Sequence, residues 1–254
     1  MKAFAAFSKK ELLENLRTYK LIIMPAVFIL LGIMSPMLAK MLPDIMSGVD
    51  LGGMIVDIPE PAAIDSWTQF FSNIGQMGIL TMVIVFCGIM SNEFSRGTII
   101  NILTKGIKRS AVIFSKFTVA CVIWTASYLL SLAVCYAYTV YFWGNDPVPN
   151  ALLAFAGPWL YGLLLISFMI LGGILFKTFY GSLLITGGAA AVMGLLNIAP
   201  GVQKYNPASL AGDVLNLLNG QKAPSDFIPA LVICAVMAAV SVTGSVLIFN
   251  RRQI

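Results

Sequence analysis

Apolar residues fill six long stretches of the chain, and polar residues gather in the segments between them. About 20 consecutive apolar residues in an α-helix cross the roughly 30 Å hydrocarbon core of a bilayer. The pattern therefore predicts an all-α membrane protein, a single transmembrane domain over residues 1–254. The third stretch is longer than a span needs, so its helix is expected to begin outside the membrane near Ser110. The six predicted spans are residues 20–41, 70–91, 115–142, 152–176, 179–199 and 227–249.

Composition agrees with this prediction. The chain is 59% hydrophobic and only 11% charged, with a mean hydropathy of +0.89, whereas a soluble domain is about 25% charged. The net charge of +5 does not indicate a nucleic-acid partner, because the basic residues lie in short loops beside apolar spans. The expected surroundings are the lipid bilayer of the cell membrane.

The distribution of charge predicts the orientation. Basic residues concentrate in cytoplasmic loops of membrane proteins, and placing both termini in the cytosol puts all Lys and Arg residues inside except Lys40, Lys204 and Lys222. The first outer loop, residues 42–69, carries five acidic residues and no basic one. The sequence therefore predicts a multi-pass protein with cytoplasmic N- and C-termini.

Residues 1–19 are predicted to form an amphipathic helix at the inner interface. Ser8 and Glu11 match a capping box, in which two side chains satisfy free amides at a helix start. A simple positive anchor for the first span is an equally acceptable interpretation. The arc predicted to face the membrane contains Phe4, Ser8, Leu12, Leu16 and Tyr19.

Two segments near the other face carry local patterns. Residues 200–226 are predicted to be an outer loop with a short helix, 207–220, which places Leu210, Val214, Leu217 and Leu218 on one face and ends at Gly220. In the fifth span, small residues recur at four-residue intervals, as in Gly187 and Ala191, which permits close helix approach. Packing within the chain is the default interpretation, and a dimer face is the alternative.

The spans lack the residues that several functions require. None has Asp or Glu in its interior, which disfavours ion-coupled transporters and charged-ring channels. The chain has no histidine, its four cysteines form no C-x-x-C pair, and it contains no phosphate-binding loop. We therefore expect no catalytic residue, no metal site and no enzyme activity here, so any driving energy must come from another chain.

The loop between the second and third spans, residues 92–114, is basic and locally organised. Thr98 can cap a short helix that Gly106 would end. A basic inner loop with chance patterning is the alternative. The pattern Glu93-x-x-Arg96-Gly97-Thr98-Ile99-x-x-x-Leu103, followed by Arg109 and Lys116, resembles the permease subunits of the type-2 ABC exporter family. Six spans, the basic N-terminal helix, the acidic outer loop and the basic C-terminal end extend the resemblance over the chain, although Gly106-Ile107-Lys108 stands where many members have Pro and a Ser or Thr.

This resemblance implies that two permease subunits, identical or paralogous, pair with a cytosolic ABC ATPase dimer. ATP and Mg would bind to the ATPase, with no cofactor in this chain. The loop 92–114 would hold the coupling helix, residues 1–19 the elbow helix, and 207–220 a re-entrant segment. The cargo is expected from composition: spans without carboxylates and rich in aromatic residues and Met suit a hydrophobic or amphipathic molecule, such as a peptide, an antibiotic or a lipid-like molecule, better than an ion.

The resemblance also assigns roles to residues. Ile99, Ile102 and Leu103 would fill an apolar groove of the ATPase, while Arg96, Lys105 and Arg109 would pair with acids at its rim. Glu93 would pair with Arg96 or Arg109, and Gly97 would permit the turn. The predicted partner-binding residues are Glu93, Arg96, Gly97, Thr98, Ile99, Ile102, Leu103, Lys105 and Arg109.

Two other functions remain as alternatives. One is a stand-alone immunity or binding membrane protein that sequesters a peptide without ATP. The other is a secondary transporter or channel, which the absence of carboxylates in the spans disfavours.

Overall fold

A computed structural model describes residues 2–47, 60–104 and 106–252, and within these ranges the chain forms helices joined by turns. Six helical stretches of this part are long and apolar enough to cross a membrane. The all-α class and the six apolar spans are therefore confirmed. The six stretches are Lys20–Pro43, Ala63–Ser95, Arg109–Trp143, Ala151–Phe176, Phe179–Leu196 and Pro224–Arg251.

The helices follow one another with short connections. The main ones are α1 (Lys2–Arg17), α2 (Lys20–Ser47), α3 (Ala63–Asn73), α4 (Ile79–Phe86), α5 (Ser91–Ser95), α6 (Thr98–Thr104), α7 (Arg109–Trp143), α8 (Ala151–Phe176) and α9 (Phe179–Leu196). The short helices α10 (Pro200–Gln203), α11 (Ser209–Gly212) and α12 (Val214–Leu218) precede α13 (Ile228–Arg251). We call the end of the bundle that carries α1, α5, α6 and Arg251 the basic end.

The second span begins at Ala63, seven residues before its predicted start at residue 70. The carboxylate of Asp65 accepts a hydrogen bond from the backbone N–H of Ala62 (2.8 Å) and so satisfies a free amide at the helix start. Trp67 and Phe70 are buried against the bundle. Polar residues on the other face of this first part lower its mean hydropathy, which is why the apolar pattern placed the start too late.

A π-helical turn, Ile74–Gly78, joins α3 to α4 within this span. The backbone N–H of Ile79 donates to the carbonyl of Ile74, five residues back. In a regular α-helix of about 3.6 residues per turn, positions four residues apart rotate gradually around the helix axis. The extra residue in the π-helical turn partly offsets this rotation. Buried residues therefore recur every fourth position along the span, at Phe70, Ile74, Gly78, Met82 and Phe86.

Aromatic rings from α2, α3 and α7 form the centre of the core. The Trp124 ring meets Phe28 edge-on with centroids 5.4 Å apart, and it stacks on Tyr128 at 5.7 Å. Their polar atoms are satisfied by α8, since Trp124 Nε1 donates to the Trp159 carbonyl and the Tyr128 hydroxyl donates to the Phe155 carbonyl, both at 3.0 Å. The core therefore fixes α7 and α8 in register.

Only two residues separate α8 from α9, so the two helices form a tight hairpin. Lys177 adopts a left-handed conformation with φ of 57°, and the Thr178 hydroxyl accepts a hydrogen bond from the N–H of Gly181 (3.1 Å). Here α8 and α9 approach closely, because a Cβ on Gly172 would lie 2.9 Å from the Cα of Ser182. Two of the small residues farther along α9, which were predicted to pack against other helices of the chain, do not do so within its described part. A Cβ on Gly187 or Gly194 would meet no described atom within 4 Å.

The segment after α9 buries the predicted apolar face. Leu210, Val214, Leu217 and Leu218 are all at most 4% exposed, and Gly220 has the positive φ expected of a helix stop. The single helix predicted over 207–220 is instead two, α11 and α12, which meet at Asp213. The carboxylate of Asp213 accepts a hydrogen bond from Lys222 at 2.9 Å.

The contact between α2 and α7 gives the first prediction. A Cβ on Gly32 would lie 2.6 Å from the backbone oxygen of Ser131, so Gly32→Ala forces the helices apart, at a cost of about 1–3 kcal/mol. Thermal unfolding in detergent should show a lower midpoint for this variant. Gly188→Ala is the matched control, because no described atom lies within 4 Å there and alanine favours the helix by about 1 kcal/mol. Equal midpoints for the two variants would contradict the close packing.

Candidate coupling site at the basic end

A buried lysine lies at the centre of the site. The side chain of Lys116, on α7, is 2% exposed, and its Nζ lies 2.9 Å from Glu11 of α1 and 3.1 Å from Glu93 of α5. A buried charge without a partner is strongly unfavourable, and here two carboxylates surround one ammonium group. The three residues therefore tie three separate elements together.

Lys10 extends this network toward solvent. Its Nζ lies 2.8 Å from Glu93 and 2.6 Å from Glu14, so one carboxylate oxygen of Glu93 receives both lysines. Burial lowers the pKa of Lys10, but the hydrogen bonds to Glu14 and Glu93 outweigh this effect and raise the pKa above its ordinary value. Lys10 therefore remains charged throughout the physiological pH range. Together, Lys10 and Lys116 balance two of the three negative charges on Glu11, Glu14 and Glu93. We call these five residues, Lys10, Glu11, Glu14, Glu93 and Lys116, the ion network.

The first helix turns its polar residues toward α7. Glu11 and Asn15 are buried, at 2% and 4% exposure, and the Ser8 hydroxyl lies 2.9 Å from that of Ser115. Ser8 and Glu11 were predicted to cap a helix start, but α1 begins at Lys2 and both lie in its interior. In the predicted arc, Ser8 is partly buried, while its apolar members Phe4, Leu12, Leu16 and Tyr19 are exposed.

The loop residues around Glu93 differ in part from their predicted roles. Glu93 pairs with Lys116 and Lys10 and not with Arg96 or Arg109, because the two lysines are the cations beside its buried carboxylate. Arg96 is exposed. Gly97 has the positive φ of 66° that its predicted turn needs. Thr98 is the first residue of α6, and its hydroxyl donates to the Glu93 carboxylate.

The apolar surface of α6 also needs a correction. Ile99, predicted to fill the groove of a partner, is 2% exposed and belongs to the core. Ile100, which the sequence pattern did not select, is 51% exposed. The side chains of Ile102 and Leu103, and the whole of Lys105, lie outside the described residues.

Arg109 binds the end of the last helix, although it was predicted to pair with acids of a partner. Its guanidinium group donates to the carbonyls of Phe249, Asn250 and Arg252 at 2.6, 3.2 and 2.6 Å. These terminal carbonyls carry the negative end of the helix dipole and have no partner within the helix. Arg252 in turn donates to the carbonyl of Leu175, at the end of α8, at 2.5 Å.

A groove of about 710 Å³ separates α1 from the loop that follows α5. Arg17 and Arg96 stand at its sides together with Lys10, and Phe7 and Leu13 contribute apolar surface. Glu14 and Glu93 also line the groove, so the ion network forms part of its wall. Apolar side chains and charges of both signs therefore border the groove, and its three cations outnumber its two carboxylates.

Comparison with known proteins supports the membrane assignment. No protein-family model matches the sequence. The chain is 25% identical over 256 residues to a Bacillus subtilis (strain 168) protein named "uncharacterized transmembrane protein YxlG", with 94% of this chain and 95% of that protein covered. The six apolar helices and this similarity support a membrane-embedded, multi-pass protein.

Lys116→Met tests the ion network. The substitution leaves the buried Glu11 and Glu93 with only Lys10, which is 44% exposed and lies 3.1 and 2.8 Å from them. Breaking a buried pair costs about 3–5 kcal/mol when no other cation is near, so we expect a loss toward the lower end of that range. The midpoint of thermal unfolding in detergent should fall clearly, whereas Lys9→Met, at an exposed position of α1, should leave it unchanged. Adding Glu11→Gln to Lys116→Met should recover part of the loss. No recovery would show that Lys116 acts by packing alone.

Arg109→Ala tests the contact with α13. Without the guanidinium group, the end of α13 loses the charge-assisted hydrogen bonds donated by Nη1, and bonds of this kind are worth about 1.5–3 kcal/mol each. Backbone amides at residues 248–251 should then exchange with deuterium about tenfold faster or more. Lys108→Ala, at the neighbouring exposed position, should not change their exchange. Unchanged exchange in Arg109→Ala would contradict the assigned contact.

Proposed function

We propose that this chain is the permease subunit of an ATP-driven exporter similar to the type-2 ABC family, powered by a separate cytosolic ATPase. The observation that carries the proposal is the ion network, which joins the predicted coupling loop to α1 and α7 beside a basic groove. In this proposal the basic end faces the cytosol and both termini are cytoplasmic. The chain itself would bind neither ATP nor metal.

The network offers a mechanical route from the loop to the membrane. Glu93 connects the start of α6, through Thr98, to Lys116 in α7. Helix α7 has 35 residues, which corresponds to about 52 Å at 1.5 Å per residue. A force that moves α6 would therefore reach the opposite end of the bundle along one continuous helix. This is what a permease needs if an ATPase drives it from one side.

The surface beside the network suits a protein partner. Ile100 is exposed, and the groove adds Leu13 as apolar surface near the cations Arg17 and Arg96. Apolar contacts surrounded by charge are typical of specific protein interfaces. The complementary surface of the ATPase would be apolar with an acidic rim.

A second permease subunit, identical or paralogous, fits the open face of α9. A Cβ on Gly187, Gly188 or Gly194 would meet no described atom within 4 Å, and Leu184 and Val192 beside them are exposed. Small residues let helices approach closely within a bilayer. We place the pathway for a hydrophobic or amphipathic cargo between two such subunits.

Ile100→Asp tests the docking of the ATPase. The variant places a negative charge in an apolar contact, so the tagged protein purified from its native membrane should lose about tenfold or more of its associated ATPase. Mass spectrometry should identify that ATPase in the unaltered complex by a phosphate-binding loop and an ABC signature segment. Ile198→Asp is the matched control, because Ile198 is 77% exposed but follows α9 at the other end of the bundle.

Two results would contradict the proposal. One is purification of the unaltered protein without any ATPase of this type, which would favour a stand-alone binding protein. The other is normal ATPase association and ATP-driven transport in Ile100→Asp, which would show that α6 is not the docking site.

A further inference from the structure

The second span presents a polar face to the outside of the chain. Asp65 and Gln76 are exposed, and Gln69 and Ser72 are half-buried. Their spacings of four, three and four residues place them on one side of a helix. Farther along the same span, the exposed residues are the apolar Met77, Leu80 and Ile84, at 55%, 58% and 57%. The exposed face therefore changes from polar to apolar within the π-helical turn, between Gln76 and Met77.

Contacts with neighbouring helices place Gln76 near the middle of the membrane. Thr139, which hydrogen-bonds Ser66 at 2.7 Å, lies about 23 residues or 34 Å along α7 from Lys116. Ser66 is therefore near the boundary opposite the basic end, and Gln76 lies about 15 Å deeper. The pairing of Asn73 with Ser35 (3.0 Å) agrees, since Ser35 is about 22 Å along α2 from Lys20.

Lipid cannot satisfy a glutamine amide at this depth. One N–H of Gln76 donates to the Ser72 hydroxyl at 3.0 Å, and its other N–H and its carbonyl oxygen have no partner among the described residues. Each unsatisfied polar group in hydrocarbon costs several kcal/mol. The exposed side of Gln76 therefore needs water, a polar ligand or protein against it.

We infer that the part of the second span from Asp65 to Gln76 faces a water-filled vestibule that opens at the end opposite the basic end. The polar residues continue from mid-membrane to that surface, which favours water over a protein partner buried at one depth. The apolar pair Leu80 and Ile84 lies where the vestibule ends toward the basic end. The π-helical turn marks this change, and such turns often occur at functional sites.

The vestibule also indicates the chemistry of the cargo, and this step rests on the proposed function. The Gln76 amide can donate and accept hydrogen bonds, while Leu80 and Ile84 offer apolar surface one and two turns away. A cargo that fits both is an amphipathic molecule with hydrogen-bonding groups. A purely hydrophobic cargo would leave the Gln76 amide without a partner.

Single-cysteine labelling tests the vestibule in membranes that hold the complete protein. The native Cys87, Cys121, Cys135 and Cys234 are first replaced by alanine. Gln76→Cys and Ser72→Cys are then compared with Leu80→Cys and Ile84→Cys, which lie on the same span and, like Gln76, are exposed to the outside of the chain. A membrane-impermeant maleimide is applied to each side of the membrane separately, and Asn145→Cys, in the exposed connection after α7, marks the side opposite the basic end.

We expect Gln76→Cys and Ser72→Cys to react from the side that labels Asn145→Cys, about tenfold faster or more than Leu80→Cys and Ile84→Cys, because thiols ionise and react only where water reaches them. Labelling of Gln76→Cys no faster than of Ile84→Cys would overturn the vestibule. Efficient oxidative cross-linking of Gln76→Cys between two copies would overturn it too, because protein would then cover the face. Labelling needs neither ATP nor an ATPase, so its failure is distinguishable from failure of the Ile100→Asp test.

Discussion

The buried ammonium group of Lys116 sets the arrangement of the basic end. Because that charge is removed from water, Glu11 and Glu93 must approach it from two other elements, at 2.9 and 3.1 Å. This requirement explains why α1 points Glu11 and Asn15 inward and leaves Leu12 and Leu16 exposed. An amphipathic helix on a soluble protein would do the reverse. On a membrane protein the exposed leucines fit an interface with lipid, while ion pairs hold the inner side.

The first turns of α7 thereby become the junction of the basic end. Arg109 holds the carboxyl end of α13, Ser115 meets α1, and Lys116 joins α1 to α5. Breaking one partner of a buried ion pair costs about 3–5 kcal/mol, so these elements move together or not at all. In the proposed exporter, a push on α6 would be resisted by the whole junction and not absorbed by one loop. The rigidity of this junction follows from the burial of its charges and needs no additional contact.

The sequence predicted the parts of the fold that depend on local composition. Apolar runs located six spans, the preference of glycine for helix ends located the stop at Gly220, and the resemblance located the turn at Gly97. The partners of Glu93 and Arg109 could not be predicted, because Glu93 and Lys10 are 83 residues apart and Arg109 and Phe249 are 140 apart. No short-range sequence pattern favours these pairs over the predicted ones. The isolated Lys116 at the start of an apolar span was the one signal that a buried partner must exist.

The late predicted start of the second span has the same physical origin as its polar face. Hydropathy averages both sides of a helix, so Asp65 and Gln69 concealed the buried Trp67. A helix in lipid would not carry polar residues outward at increasing depth, since lipid cannot satisfy the atoms of Gln76 that have no partner among the described residues. A helix beside water can carry them, and its other face then resembles an ordinary protein core. The error of seven residues is therefore itself evidence that two different environments border this span.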